Sequence, residues 1–262
     1  MNQHWHWQTD DRGAYLTCSL LSNWQHGFFT QAFYPLTPES LTSILQPNTT
    51  AHRVKQVHGN VVLTPAEISQ ILESATSDRK FADADAVLSD RSQQSVWAAS
   101  ADCTPILIGD LVTGQVCAVH AGWRGTAKKI VSQAIARFLA AGSQLADLRI
   151  AIGPAISGKM YQVDDYVALE VVRTVVNDAD LAPKTVLQEL KTWTNSPILE
   201  DKVPGKVRLD VPRINQIQLQ QLGLNDTQIA IASYCTFQAS DRFFSYRRTG
   251  EKKVQWSGIV SQ

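Results

Sequence analysis

Two apolar runs, 105–109 (PILIG) and 115–119 (QVCAV), stand either side of a Thr113-Gly114 turn. Runs so short, so apolar and so close in sequence predict an antiparallel hairpin. Further short strands are expected at 86–88, 96–101 and 228–234. Segment 53–63 (RVKQVHGNVVL) reads as two more about a turn at His58-Gly59-Asn60. A helix is expected at 126–141, where Ile130, Ala134 and Phe138 recur at helical spacing and Gly142 offers a terminator. A second spans 164–176, with Tyr166, Val167, Val171 and Val175 on one face. A third runs from 212 to about 223, with Pro212 in its first turn. The polar stretch 181–205, carrying three prolines, reads as a long irregular excursion. Strands and helices in mixed order, with hairpins, imply an α+β chain with mixed sheets rather than a doubly wound parallel sheet.

Composition removes several function classes. The chain has 262 residues, with 24 basic and 24 acidic side chains and a formal net charge of zero. That balance supplies no global field for nucleic acid or an anionic membrane, so neither is an expected partner. The N-terminus lacks the pattern of a signal peptide, and no apolar run approaches the roughly 20 residues of a bilayer span. Four cysteines in a chain this long do not read as a disulfide framework. A reduced, cytoplasmic setting follows. There a cysteine in unusual company reads as a ligand or a nucleophile.

Three residues keep such company. His58 occupies a glycine-containing turn, Cys103 closes VWAASADC just before Pro105, and His120 ends QVCAV as the chain enters AGWRG. All three fall at expected strand ends, where side chains converge beside a rigid sheet. Two imidazoles and one thiolate make an open zinc site, with a fourth position left for water. Spacing alone leaves a second reading, a buried cysteine and two turn histidines. In AVHAGWRGTAKKI, Thr126 reads as the N-cap of the helix, with Arg124 before it and Lys128 and Lys129 in its first turn. Cations there oppose the helix dipole, and a phosphate-like anion would relieve the conflict; solvated lysines are the plain alternative. Arg247 and Arg248, in FFSYRRTGEKK, offer contacts for an anionic or planar ligand. Asp83, Asp85, Asp90 and Asp102 are candidates to orient a ligand histidine.

Taken together, KQVHGNVV, ADADAVLSD, SADCTPILIGD, AVHAGWRGTAKKIV, AIGPAISGKMYQV and FFSYRRTG resemble the YfiH family, also called the laccase-domain or polyphenol oxidase family. The likeness covers about 53–250 in the right order. It implies a single domain over 1–262 with four α/β/β/α layers and mixed sheets. It implies that His58, Cys103 and His120 are zinc ligands and the catalytic centre. It also implies phosphorolysis of adenosine, inosine and methylthioadenosine, with adenosine deaminase activity; the substrates are then a purine nucleoside and phosphate. Substrate contacts are expected from Arg124, Lys128, Arg247 and Arg248. The chain departs from the family in two places: Gln31 stands where arginine is usual, and Thr249-Gly250 is followed by Glu251-Lys252 instead of arginine.

Other readings remain beside this one. A copper laccase needs on the order of ten histidines for its several copper centres, and the chain has six. A Cys-His hydrolase editing cell-wall precursors would use Cys103 as nucleophile and His120 as base. A binding protein that has lost catalysis is the non-enzymatic alternative.

Overall fold

A computed structural model describes residues 3–75, 80–176 and 182–262. Two six-stranded sheets form its body. The first has the order β1 (Trp5–Asp10), β2 (Gly13–Cys18), β3 (His26–Phe29), β15 (Gln255–Val260), β7 (Gln94–Ser100) and β4 (Thr50–His52). Only its β4–β7 pair is parallel. The second runs β14 (Ile229–Ile231), β10 (Leu148–Ile152), β8 (Thr104–Asp110), β9 (Val116–Ala121), β6 (Ala86–Leu88) and β5 (Val62–Leu63). Its two edge pairs are parallel and the rest antiparallel, so both sheets are mixed, as expected.

The hairpin forms as read. Strands β8 and β9 pair from Thr104 opposite Ala121 to Gly109 opposite Val116, with Gly114 at φ +71° in the turn. Both strands are buried at every position, because each face of their sheet is covered. Alternation sorts their side chains. Leu107, Val116 and Ala118 meet Leu16, Phe28, Val96 and Ile259 between the sheets. Ile106, Ile108, Cys117 and Val119 face the other way, onto Ile130, Ala134, Ile135 and Phe138. Those four belong to α4 (Ile130–Ala140), joined there by Leu219 of α7 (Val211–Gln221). On the far side of the first sheet, Phe29, Trp97 and Val260 pack on Leu41 and Leu45 of α1 (Pro38–Leu45). The result is helix on sheet on sheet on helix, the four layers that the resemblance implied.

The remaining elements are α2 (Pro65–Ser74), α3 (Trp123–Ala127), α5 (Asp165–Val172), α6 (Pro183–Lys191), α8 (Tyr246–Thr249) and a small antiparallel sheet of β11 (Gln162–Asp164), β13 (Lys206–Leu209) and β12 (Ile198–Glu200). Several expectations are corrected here. Of the stretch 181–205, residue 181 lies outside the described residues and 182–205 are not irregular, since they carry α6 and β12; Val186, Leu187, Leu190 and Ile198 pack with α5 and α7. Pro183 sits at the start of α6, where a missing N–H costs nothing. The helix expected at 126–141 is two helices, broken where Lys129 turns left-handed at φ +57°. Tyr166, placed on the buried face of α5, is 63% exposed, whereas Val167, Val171 and Val175 are buried.

The largest correction concerns 53–63. β4 ends at His52 and β5 begins only at Val62, and the two belong to different sheets. Residues 53–61 therefore cross from one sheet to the other instead of forming a hairpin. Cys103 lies in a second crossing, between β7 of the first sheet and β8 of the second. Both crossings come together at one rim of the sandwich.

His26 gives the fold a pH dependence. Its Nε2 accepts the Cys18 N–H at 2.8 Å, and Nδ1 lies 2.8 Å from the Trp24 carbonyl, to which it donates. A neutral ring satisfies both, and burial pushes its pKa below the ordinary imidazole value. The unfolded chain then takes up the proton first, so this contribution is present above about pH 6.5 and is lost as pH falls below it. Tm should drop between about pH 7 and pH 5.5, and less so in His26→Gln. Equal slopes in the two proteins would contradict this.

Candidate metal centre

At the rim of the sandwich, His58, Cys103 and His120 bring one ligand atom each within 4.8 Å of one another. Among the described residues this is the one group of three or more His, Cys, Asp or Glu placed to hold a metal ion. The Cys103 Sγ is 4.0 Å from the His58 Nε2. The two imidazoles meet edge to face, their centroids 4.8 Å apart at 85°.

One carboxylate holds the His120 ring and anchors the backbone of the His58 loop. Asp85, 1% exposed at the entrance to β6, accepts the backbone N–H of His58 (2.9 Å) and of Gly59 (2.6 Å). Its Oδ1 also takes the His120 Nδ1–H at 2.9 Å, and its backbone carbonyl takes the His120 N–H at 2.8 Å. That fixes the tautomer of His120 and leaves its Nε2 toward the thiol, the usual arrangement behind a metal-bound imidazole. Burial works against the Asp85 charge, but the His120 hydrogen bond and the backbone amides outweigh it, and the carboxyl stays below its usual range. Of the four aspartates considered from sequence, Asp85 orients the histidine. Asp83 lies 3.6 Å from Lys55, and Asp90 accepts from Ala66 N at the start of α2 and from Gln94. Asp102, buried at φ +87°, accepts from Thr236 Oγ1, Ser245 Oγ and the Arg247 N–H, tying the C-terminal segment beside Cys103.

Burial also opposes a Cys103 thiolate. Hydrogen bonds and charge from His120 and His58 prevail, and the thiol is brought down to about 6. His120 moves up to about 9: burial lowers it, but Asp85 and Cys103 raise it more. The trio thus favours a charged sulfur between two imidazoles, a donor set of intermediate softness suited to zinc. Gly122 makes the approach possible. A Cβ there would come within 2.9 Å of the Cys103 Sγ and 3.1 Å of the His58 Cδ2. Its φ of −70° is open to any residue, so the space alone demands glycine. Gly122→Ala should keep Tm and bind metal roughly tenfold more weakly or worse, read by competition with a chelator. Unchanged affinity would contradict this role for Gly122.

The basic residues fare differently. Gly122, not Thr126, caps the first helix; Thr126 is buried within α3, its hydroxyl meeting Asn215 of α7. Lys128 caps the C-terminal end of α3, where a cation suits the dipole, and Lys129 is at the break. Lys128 is thus removed from a helix start, whereas Lys129 is the N-cap of α4 and Arg124 lies in the first turn of α3. Arg124 stacks over the Trp123 ring at 4.3 Å, and Arg247 over the Tyr161 ring at 4.9 Å. Arg248 is spent on the backbone carbonyls of Thr236, Phe237 and Phe243. Gln31 bonds to the carbonyls of Ser240 and Arg242.

Cys103 forms part of the wall of two pockets. One is a cavity whose walls include Thr104, Trp123, Ile156, Tyr161 and Val211. The other is a groove lined by His58, His120, Ser100, Lys252 and Lys253. Trp123 and Tyr161 were not singled out from sequence, where nothing distinguishes them from core aromatics. Burial and the neighbouring sulfur push the Tyr161 phenol up to about 12, so it stays protonated.

The chain as a whole is similar to known proteins. Residues 39–261 match the family described as multi-copper polyphenol oxidoreductase laccase. A protein of Synechocystis named purine nucleoside phosphorylase is 54% identical over 258 residues, 98% of this chain and 97% of that one. One of that name from Geobacillus stearothermophilus is 31% identical over 204 residues, 74% of this chain and 65% of that one. The crystal structure of Geobacillus stearothermophilus YlmD superposes with a TM-score of 0.79 at 24% identity, over 98% of both chains. Bacillus licheniformis YfiH superposes at 0.76 with 25% identity, over 98% of this chain and 99% of that one.

Proposed function

The chain belongs to the family of multi-copper polyphenol oxidoreductase laccases, and we propose that its own work is zinc-dependent purine nucleoside phosphorolysis. The substrates on this reading are adenosine, inosine and methylthioadenosine with phosphate; hydrolytic deamination of adenosine is a second reaction. The observation that carries the reading is the trio His58, Cys103 and His120 set on Asp85. The name of the 54% identical relative supplies the substrate class. One three-donor group and six histidines suit a single metal ion better than a set of copper centres.

His58, Cys103 and His120 would hold the zinc, whose chemistry when bound is that of a Lewis acid polarising a substrate oxygen. Asp85 keeps His120 in one tautomer and anchors the His58 loop, so the centre needs little reorganisation. In phosphorolysis a phosphate oxygen bonds to the ribose anomeric carbon while the bond to the purine nitrogen breaks, and the base leaves with a proton. In deamination water replaces the exocyclic amine, which departs as ammonia. Arg124 and Arg247 serve the substrate through the rings they back, Trp123 and Tyr161. The two remaining basic candidates, exposed Lys128 and tethered Arg248, have weaker support. Four unpaired cysteines fit a reducing cytoplasm, and among the described residues no helix is long and apolar enough to cross a membrane. Residues 1–262 act as one catalytic domain on this reading.

Nucleosides incubated with and without phosphate test the proposal. Free base and the matching sugar 1-phosphate (5-methylthioribose 1-phosphate from methylthioadenosine) should appear in equal amounts and only with phosphate, and ammonia from adenosine should not need it. A zinc-loaded protein that releases no base from any of the three nucleosides would refute the phosphorylase reading.

A further inference from the structure

Two pockets with different walls meet at Cys103. Trp123, Tyr161, Ile156 and Val211 give the cavity flat and apolar walls around about 40 Å³ of accessible space. That is below the ~300–1,000 Å³ of pockets that enclose a whole small ligand, so it suits part of one. The groove is also mainly apolar, with Ala99, Ala101, Val254 and the acidic Glu251 on its wall, but it is the pocket of the two that holds lysines. It carries Lys252 and Lys253 beside two of the imidazoles. Lys253 is paired with Glu251 at 3.0 Å, but Lys252 is exposed and makes no ion pair among the described residues. Each pocket also keeps one buried hydroxyl with no hydrogen-bond partner: Thr104 lines the cavity and Ser100 the groove.

We infer that the two pockets sort the two substrates, the purine base entering the aromatic cavity against Thr104 and phosphate entering the groove against Lys252. The inference rests on the phosphorylase reading above and adds the sides from which the two substrates reach the centre. A flat heteroaromatic ring gains most from rings and apolar walls and needs only a few polar contacts. Phosphate gains from a cation unspent on a protein partner. With Cys103 between the pockets, the ribose would span the metal centre, with the leaving base on one side and the attacking phosphate on the other. Asp102 supports the groove by holding Ser245 and Arg247, at the start of the segment that leads to Lys252.

Calorimetry on the full-length, metal-loaded protein tests the sorting without relying on turnover, with hypoxanthine alone and inorganic phosphate alone as probes. Lys252→Gln should weaken phosphate binding roughly tenfold and leave hypoxanthine within about twofold. Thr104→Val should weaken hypoxanthine ~3- to 10-fold, the worth of one neutral hydrogen bond, and leave phosphate within about twofold. Valine matches threonine in shape and removes an unpartnered hydroxyl, so Tm should hold or rise. Phosphate affinity unmoved by Lys252→Gln, hypoxanthine affinity unmoved by Thr104→Val, or both ligands weakened together by either change would overturn the sorting. A wild-type protein that binds both probes in this pattern but performs no phosphorolysis would refute the phosphorylase reading and leave the two subsites standing.

Discussion

Cys103→Ser should emerge from purification with roughly a tenth or less of the metal carried by the parent chain. A substitution behind a ligand already costs about 10- to 100-fold in metal affinity, and the loss of a ligand itself should cost no less. A serine hydroxyl is neutral at pH 7, whereas the Cys103 thiol is brought down to about 6 between the two imidazoles. Sulfur carries the negative charge in this donor set, so its loss leaves two neutral nitrogens. Elemental analysis of both proteins, prepared side by side, reads the result directly. The fold should survive, because Cys103 stands at the rim and not within either sheet. Equal metal content would remove Cys103 from the ligand set.

Asp85→Asn should be nearly as damaging, and by a different route. Asp85 accepts the His58 and Gly59 amides and the His120 Nδ1–H on a buried carboxylate. Asparagine has the same shape, but its NH₂ end must face at least one N–H donor and cannot accept from it. Breaking such a buried cluster on one side costs on the order of 3 kcal/mol. Metal affinity should fall about 10- to 100-fold, since the His120 ring loses its orientation and the His58 loop its anchor. Chelator competition and thermal unfolding measure the two effects separately. A variant with wild-type metal affinity would show that Asp85 stabilises the rim without positioning the ligands.

How much of this could be read from residues differs sharply between parts of the chain. The β8–β9 hairpin was legible because its pattern is local, two apolar runs about a glycine. Gly142 and Pro212 likewise marked α4 and α7 through local backbone chemistry. Residues 53–63 misled because strand-like composition does not reveal that β4 and β5 belong to different sheets. That same crossing places His58, 45 residues from Cys103 in sequence, against its sulfur. The trio was therefore identified from motif likeness, and spacing alone left it open. The lysines after AGWRG misled because only the left-handed turn at Lys129 tells that Lys128 ends one helix instead of starting another. The missing Cβ of Gly122 makes room for Cys103 and His58, and no local pattern in AGWRG announces that role. Asp85 stood out from Asp83 and Asp90 only once β6 was laid beside β9.

The identity of the metal tests the central claim most directly. A single thiolate with two imidazoles, set on one carboxylate, calls for about one zinc per chain in protein purified without added metal. Elemental analysis with an absorption spectrum decides the matter. Near-stoichiometric zinc and a featureless visible spectrum are the predicted result. Stoichiometric copper with an intense copper–thiolate band would contradict it and return the chain to the oxidase chemistry of its family description.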